Sequence, residues 1–235
     1  MGGRREEATP SREPARRSYA SSLRARHAAD TRAVVTKAAA SLFAARGWAA
    51  TGVRDVAAEA GVSVETVYSH FGSKADLLMA AVDCAVVGDA AEVTLAERPE
   101  FAELARGAPE RRAAAAARLM RQVWERTARL HAALREGAAA QGELAQCLAT
   151  QEQRRRATAE QAAALVAGRP VTAEERDGLW AVSAAEVWQL LTERAGWSAA
   201  RYERWGQRMV LHLLGIEPGS GGEAPRPATR SRRAR

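Results

Sequence analysis

Between Thr51 and Lys74 the chain reads TGVRDVAAEAGVSVETVYSHFGSK, and this stretch constrains the fold more than any other. Thr51 can N-cap a helix in which Val53, Val56, Ala57 and Ala60 recur at helical spacing. Gly61 stands where a positive φ would stop that helix, and Val62 would tuck between it and the next. Ser63 can cap a second helix, with Val64, Val67 and Phe71 at helical spacing. Ser73 is placed to cap a third from Lys74. A glycine stop and two caps so close together describe a helix-turn-helix, whose second helix can enter a DNA major groove.

The pattern extends on both sides. Thr31-Arg32, Ala38-Ala39, Leu42-Phe43 and Arg46-Gly47-Trp48 precede it. Thr51, Val53, Asp55-Val56-Ala57, Ala60-Gly61-Val62-Ser63, Thr66-Val67-Tyr68, His70-Phe71, Lys74 and Leu77-Leu78 continue it. So many positions in register make the segment resemble the tetracycline-repressor (TetR) family of bacterial regulators.

Geometry and the resemblance together nominate the residues that would meet DNA. Hydroxyls, helix N-terminal N–H groups and cations hold phosphates, and Thr51, Ser63, Thr66, Tyr68, His70 and Lys74 supply these kinds. The resemblance assigns backbone contacts to Thr66, Tyr68, His70 and Lys74. Base reading would fall to Val64, Glu65, Thr66 and Ser69, early and exposed on the second helix. Glu65 is unusual, since many relatives place a small residue there. Its carboxylate can accept from a cytosine amino group but repels phosphate.

Composition excludes several classes. Hydrophobic residues make up 47% of the 235, ample for a core. No apolar run approaches the ~20 residues that cross a bilayer. The opening MGGRREEATPSREPARR has no apolar segment behind it, so no secretory signal is expected. Cys84 and Cys147 are too few and too separated for a metal site or disulfide framework, and a reducing cytoplasm is the expected compartment. Residues 1–29 hold seven Arg against three Glu and residues 219–235 five Arg against one Glu, so the net +7 is +4 in each tail and −1 between them. Basic tails suit DNA-binding arms. The chain has two Lys, no Asn and one Ile, a GC-rich coding bias that also raises Arg, so charge is supporting evidence only.

Residues 1–27 lack apolar periodicity and read as a disordered basic arm, as do 218–235 at the other end. Asp30 can open a helix that Gly47 ends, with Trp48 packing under the helix-turn-helix. A helix from Lys74 to about Glu92 would connect the head to the rest. Beyond it no strand pattern occurs; segments bounded by Pro and Gly give helices near 99–106, 109–136, 141–168, 173–195 and 198–215. Ala113–Ala117 permits close helix packing. Gly142 marks a break, and Thr172 with Glu175 forms a capping box. The expected organisation is a DNA-binding domain over 28–75 and a helical ligand-binding and dimerisation domain over 76–217.

The last two helices carry the densest apolar material. Leu179, Val187, Leu190 and Leu191 on one, and Tyr202, Trp205, Met209 and Leu213 on the other, are the expected dimer face. The phrase GLWAV…GWSAARYERW…LLG also resembles C-terminal segments of TetR-like regulators, where two such helices pair with their copies about a two-fold axis. An internal core is the competing reading. For a ligand pocket, the amphipathic residues available are Trp124, His131, Gln151, Trp180, Glu186 and Trp188, with Arg121 three residues before Trp124. Trp180 and Trp188, eight apart on one continuous helix, would lie near one face. The same tryptophans can instead fill a thin, alanine-rich core. Arg154-Arg155-Arg156 reads as a solvated face.

Enzyme readings fail. There is no Gly-rich phosphate loop, G-x-S-x-G or HExxH, and His27, His70, His131 and His212 are far apart. The expectation is an all-α protein of about nine helices, a three-helix helix-turn-helix head on a C-terminal bundle. It would bind a near-palindromic double-stranded operator as a homodimer and repress transcription in response to a small molecule, with no cofactor or metal and no membrane partner. An architectural DNA binder without effector, or a helical interaction module, are the alternatives.

Overall fold

The structure is a computed structural model that describes residues 13–88 and 94–217. All regular structure among these residues is helical. The head comprises α1 (Glu13–Arg46), α2 (Val53–Ala60), α3 (Val64–Phe71) and α4 (Lys74–Val87). α1 starts well before Asp30 and so takes in part of the segment read as a disordered arm. After Pro14 that segment has no Pro or Gly and is rich in Ala and Arg, so a helix fixed by packing further on extends through it at little cost. Residues 1–12 and 218–235 lie outside the described residues.

Local chemistry sets the head's turns. Gly61 adopts φ +68°, and the N–H groups of Gly61 and Val62 return to the carbonyls of Ala58 and Ala57, closing α2. Ser63 Oγ accepts from the Thr66 N–H at 3.1 Å, and Ser73 Oγ from the Asp76 N–H at 3.0 Å, as their positions suggest. Thr51 behaves differently. The N-cap of α2 is Gly52, whose N–H donates to Asp55 Oδ2 at 2.8 Å. Thr51 is 1% exposed, and its hydroxyl is in reach of the carbonyls of Gly47 (2.8 Å) and Leu42 (3.2 Å), tying the α1–α2 turn to α1.

After a short α5 (Pro99–Ala102) come α6 (Pro109–Ala140), α7 (Gly142–Ala167), α8 (Ala173–Val182), α9 (Ala185–Gln189) and α10 (Ala199–Leu213). Gln141 in extended conformation separates α6 from α7. Thr172 and Glu175 exchange both capping-box bonds, and Ser198 caps α10. The core of the head is continuous with this bundle: Val35, Phe43, Val67 and Leu78 belong to one buried cluster with Leu130, Leu134 and Leu144. The joint is tight. Trp48, stacked on Phe43, lies against Gly137 of α6, where a Cβ would come within 2.5 Å of Leu144 Cδ1 and 3.0 Å of the indole. The neighbouring Glu136 carboxylate accepts from the N–H groups of Trp48 (2.8 Å) and Ala49 (3.1 Å).

The segment 173–195, expected as one helix, is broken. Ser183 leaves helical geometry, Ala184 is extended, and a new helix starts at Ala185, continuing from Leu190 to Arg194 with π-helical bonding. Neither Pro nor Gly marks the break. Side chains distant in sequence meet the freed carbonyls instead. Arg155 Nη1 donates to Trp180 O at 2.7 Å, and Trp124 Nε1 to Ser183 O at 3.0 Å.

Candidate functional site

α3 presents two faces of opposite character. Val67 and Phe71 are buried, whereas Tyr68 is 50% exposed and Glu65 and Ser69 face solvent. Val64, Thr66 and His70 are half-buried along its edges. The first turn is held by the Ser63 cap, with Thr66 Oγ1 3.1 Å from Ser63 Oγ and Ser69 Oγ donating to Thr66 O at 2.8 Å. Hydrogen bonds to its own backbone N–H and to Ser63 hold the Glu65 carboxyl below the usual range. The site therefore carries a carboxylate at neutral pH beside hydroxyls and an exposed phenol.

Two nominated phosphate contacts are engaged elsewhere. Thr51 is buried in the turn described above. Lys74 points inward: Nζ donates to Trp48 O at 2.7 Å and stands 4.0 Å from the centroid of the Trp48 ring. Desolvation lowers its pKa, opposed by the charges of Glu136 and Asp55. Arg26, Arg32, Lys37, Arg46 and Arg54 are exposed cations on the described head.

A cavity of about 910 Å³ opens between the head and the bundle, bounded by α1, α4, α6, α7 and α8. Its apolar walls include Phe101, Leu104, Leu119, Val166, Leu179 and Val210. The alanines 157, 159, 162 and 163 of α7 and Ala116 of α6 leave its middle wide. Trp124, His131 and Gln151, three of the nominated pocket residues, line it. The His131 ring meets the Trp124 indole edge-on at 5.1 Å, and burial brings its pKa down to about 4, so the imidazole is neutral. Gln151 Nε2 donates to Asp83 Oδ1 at 2.7 Å, and Asp83 is also in the lining.

Arg121, Trp180, Glu186 and Trp188 do not line this cavity. Arg121 pairs with Glu203 of α10 at 2.6 Å and with Glu125, and Glu186 pairs with Arg135. Trp180 lies under the guanidinium of Arg155, 5.0 Å from its ring centroid. Trp188 borders a separate recess of about 320 Å³. The break at Ser183 explains the last two: Trp180 and Trp188 are on different helices, so their eight-residue spacing does not bring them to one face. Conversely, Arg32, Asp83, Arg154 and Arg155 line the main cavity and were not nominated. The signal for the α7 pair was present. Gln151, Arg154, Arg155 and Thr158 follow helical spacing into the apolar stripe of Ala162 and Val166, so the arginines form its polar end.

The expected dimer face divides in two. Tyr202 is fully buried, its ring edge-on to Trp188 at 4.7 Å, and Leu179 is buried among α7, α8 and α10. Both pack inside the chain. Leu190 is 55% exposed, and Val187, Leu191, Trp205, Met209 and Leu213 are half-buried, leaving an apolar surface on α9 and α10.

Comparison with known proteins agrees with this architecture. Residues 35–81 match the sequence model of bacterial regulatory proteins, tetR family. Over 51 residues the chain is 47% identical to the HTH-type transcriptional repressor Rv3405c of Mycobacterium tuberculosis, and equally so to the HTH-type transcriptional regulator Mb3439c of Mycobacterium bovis. That alignment takes in 22% of this chain and 27% of each relative. A solved structure of a TetR-family transcriptional regulator from Mesorhizobium loti superposes with a TM-score of 0.55 at 17% identity, covering 80% of this chain and 97% of that one, which shows the shared fold. These relatives are regulators, not enzymes. Among the described residues no helix is long and apolar enough to cross a membrane. Residues 35–81 thus form a helix-turn-helix domain of the bacterial tetR-family type, carried on a fold shared with a TetR-family regulator.

Proposed function

We propose that this chain is a ligand-responsive transcriptional repressor that binds a near-palindromic operator as a homodimer in the cytoplasm, on the nucleoid when bound. Residues 28–75 serve as the DNA-binding domain and 76–217 as the effector and dimerisation domain. The observation that carries the reading is the continuity of the two: the head bearing α3 shares one core with the bundle that walls the cavity. α3 enters the major groove, with Val64, Glu65, Thr66 and Ser69 toward the bases and Ser63, Thr66, Tyr68 and His70 toward phosphates. The exposed apolar surface around Leu190 and Met209 pairs with its copy, setting two heads ~34–36 Å apart, one helical turn of DNA. A ligand that fits only one head spacing weakens operator binding, a coupling commonly worth ~1–3 kcal/mol.

The test is selection of duplexes from a random pool followed by footprinting and sedimentation. Two protected half-sites one turn apart, occupied by a dimer, are expected. A single half-site bound by a monomer at micromolar protein would overturn the reading.

A further inference from the structure

The charges around the cavity are unevenly matched. Arg155 spends its guanidinium on Glu152, on Trp180 O and on Ser183 Oγ, and Asp83 is held by the Gln151 amide. Arg154 is exposed at the lining, and its guanidinium has no hydrogen bond or ion pair among the described residues. Arg32, also exposed, makes one hydrogen bond among the described residues, to a neutral carbonyl. Of the charged lining residues Arg32, Asp83 and Arg154 are exposed and Arg155 is half-buried, together net positive, while the buried walls are mostly apolar. An elongated molecule with an apolar body and one anionic end satisfies both.

Arg32 gives that anionic end a consequence. It stands on α1 and lines the cavity, yet its Nη1 donates to His70 O at 2.6 Å, and its guanidinium carbon lies 4.4 Å from the centroid of the Phe71 ring. His70 and Phe71 are the last two residues of α3. A single side chain therefore joins the cavity to the end of the DNA-facing helix. A carboxylate offers the guanidinium an opposite charge and a bidentate fit that a neutral carbonyl does not. We propose that the cavity takes a lipophilic carboxylate whose anionic end draws Arg32 off the His70 carbonyl, so that ligand occupancy untethers the C-terminal end of α3 from α1. This inference rests on the repressor reading above and names its ligand class and its contact with DNA binding.

The experiment uses the full chain, a selected operator duplex and three twelve-carbon probes kept below their micellar concentrations: dodecanoate, methyl dodecanoate and dodecyltrimethylammonium. Dodecanoate is expected to raise the melting temperature and to weaken operator binding about tenfold, the other two far less. Arg154→Gln should weaken dodecanoate binding while leaving ligand-free operator affinity unchanged. Arg32→Gln should start from the weakened operator affinity and show no further loss when dodecanoate is added. Equal binding and release by the methyl ester, or a preference for the cation, would overturn the carboxylate assignment while leaving a regulated pocket. Full release by dodecanoate in the Arg32→Gln protein would overturn the tether. No thermal shift with any probe, in a protein that still binds its operator, removes the carboxylate inference and leaves the operator reading standing.

Discussion

The helix-turn-helix and the bundle are both built from alanine-rich helices, yet the first packs onto a shared buried core and the second, together with α1 and α4, borders a cavity of about 910 Å³. In the head, α2 and α3 are eight residues each, and short helices can tilt until Val56, Val67 and Phe71 meet Phe43 and Trp48. The bundle is framed by α6 and α7, of 32 and 26 residues, which behave as rigid rods. Along them, Ala116, Ala157, Ala159 and Ala162 reach too short a distance to fill the space between, and the indoles that would fill it are held at its margins. Small side chains close a structure whose elements can move and leave it open where they cannot. The prediction from this contrast is that substitutions in the bundle register as stability and those on α3 register in DNA binding.

The largest effect belongs to Trp124→Ala. This indole is 4% exposed, walls the cavity and donates to the Ser183 carbonyl at the α8–α9 break. Removing it should cost ~3–5 kcal/mol and enlarge the cavity. Urea unfolding measures it. A loss below 1 kcal/mol would mean the break is not held by Trp124, and the closed-versus-open contrast would lose its main support.

His131 makes the bundle sensitive to acid. Burial takes its pKa from 6.5 down to about 4, so between these values the unfolded chain binds more protons than the folded one. Stability is therefore full above pH 6.5 and falls as the pH drops toward 4, by about 3 kcal/mol at most from this residue. Asp177 and Glu175, whose arginine partners hold them near 2, lose their contributions at lower pH, leaving the upper window to His131. Unfolding at pH 7 and pH 5 should differ in the wild type and much less in His131→Phe. Equal pH dependence in both proteins would show that the imidazole is not buried as a neutral group.

How much of this was legible in the sequence follows the range of the interactions. The glycine stop at Gly61 and the caps at Ser63, Ser73, Thr172 and Ser198 act within a few residues, and each occurs where the spacing placed it. The α8–α9 break was not legible, because the donors that tolerate it come from Arg155 and Trp124 on other helices. The same holds for the Glu136 grip on the Trp48 turn, 88 residues distant, and for Arg32 beneath α3. Residue type and the family resemblance nominated Lys74 for phosphate, but neither gives the direction in which its side chain points.

Lys74 accordingly sharpens the comparison from inside the head. Its ammonium is committed to Trp48 O and the Trp48 ring, so Lys74→Met should cost ~1–2 kcal/mol of stability through the lost cation–π contact and hydrogen bond. A phosphate-bound lysine would instead lower the slope of log affinity against log salt by about one unit on removal. Unchanged stability together with that drop in slope would show that Lys74 swings outward to DNA.

The smallest effect on the fold is expected at Glu65 and Tyr68. Both lie on the exposed side of α3, so Glu65→Ala and Tyr68→Phe should leave the unfolding midpoint within ~0.5 kcal/mol of the wild type. Their effects on DNA should separate. Tyr68→Phe removes a hydroxyl placed for phosphate and should weaken binding to all sequences alike. Glu65 is charged at neutral pH and can accept from a cytosine amino group, so Glu65→Ala should relax or change the preferred base at one symmetric pair of positions, by ~1–3 kcal/mol of discrimination. Loss of an anion near the phosphates can raise overall affinity at the same time, which makes selection from a random pool the better readout than affinity for one duplex. If both variants return the wild-type motif and affinity, α3 is not the element that reads the operator.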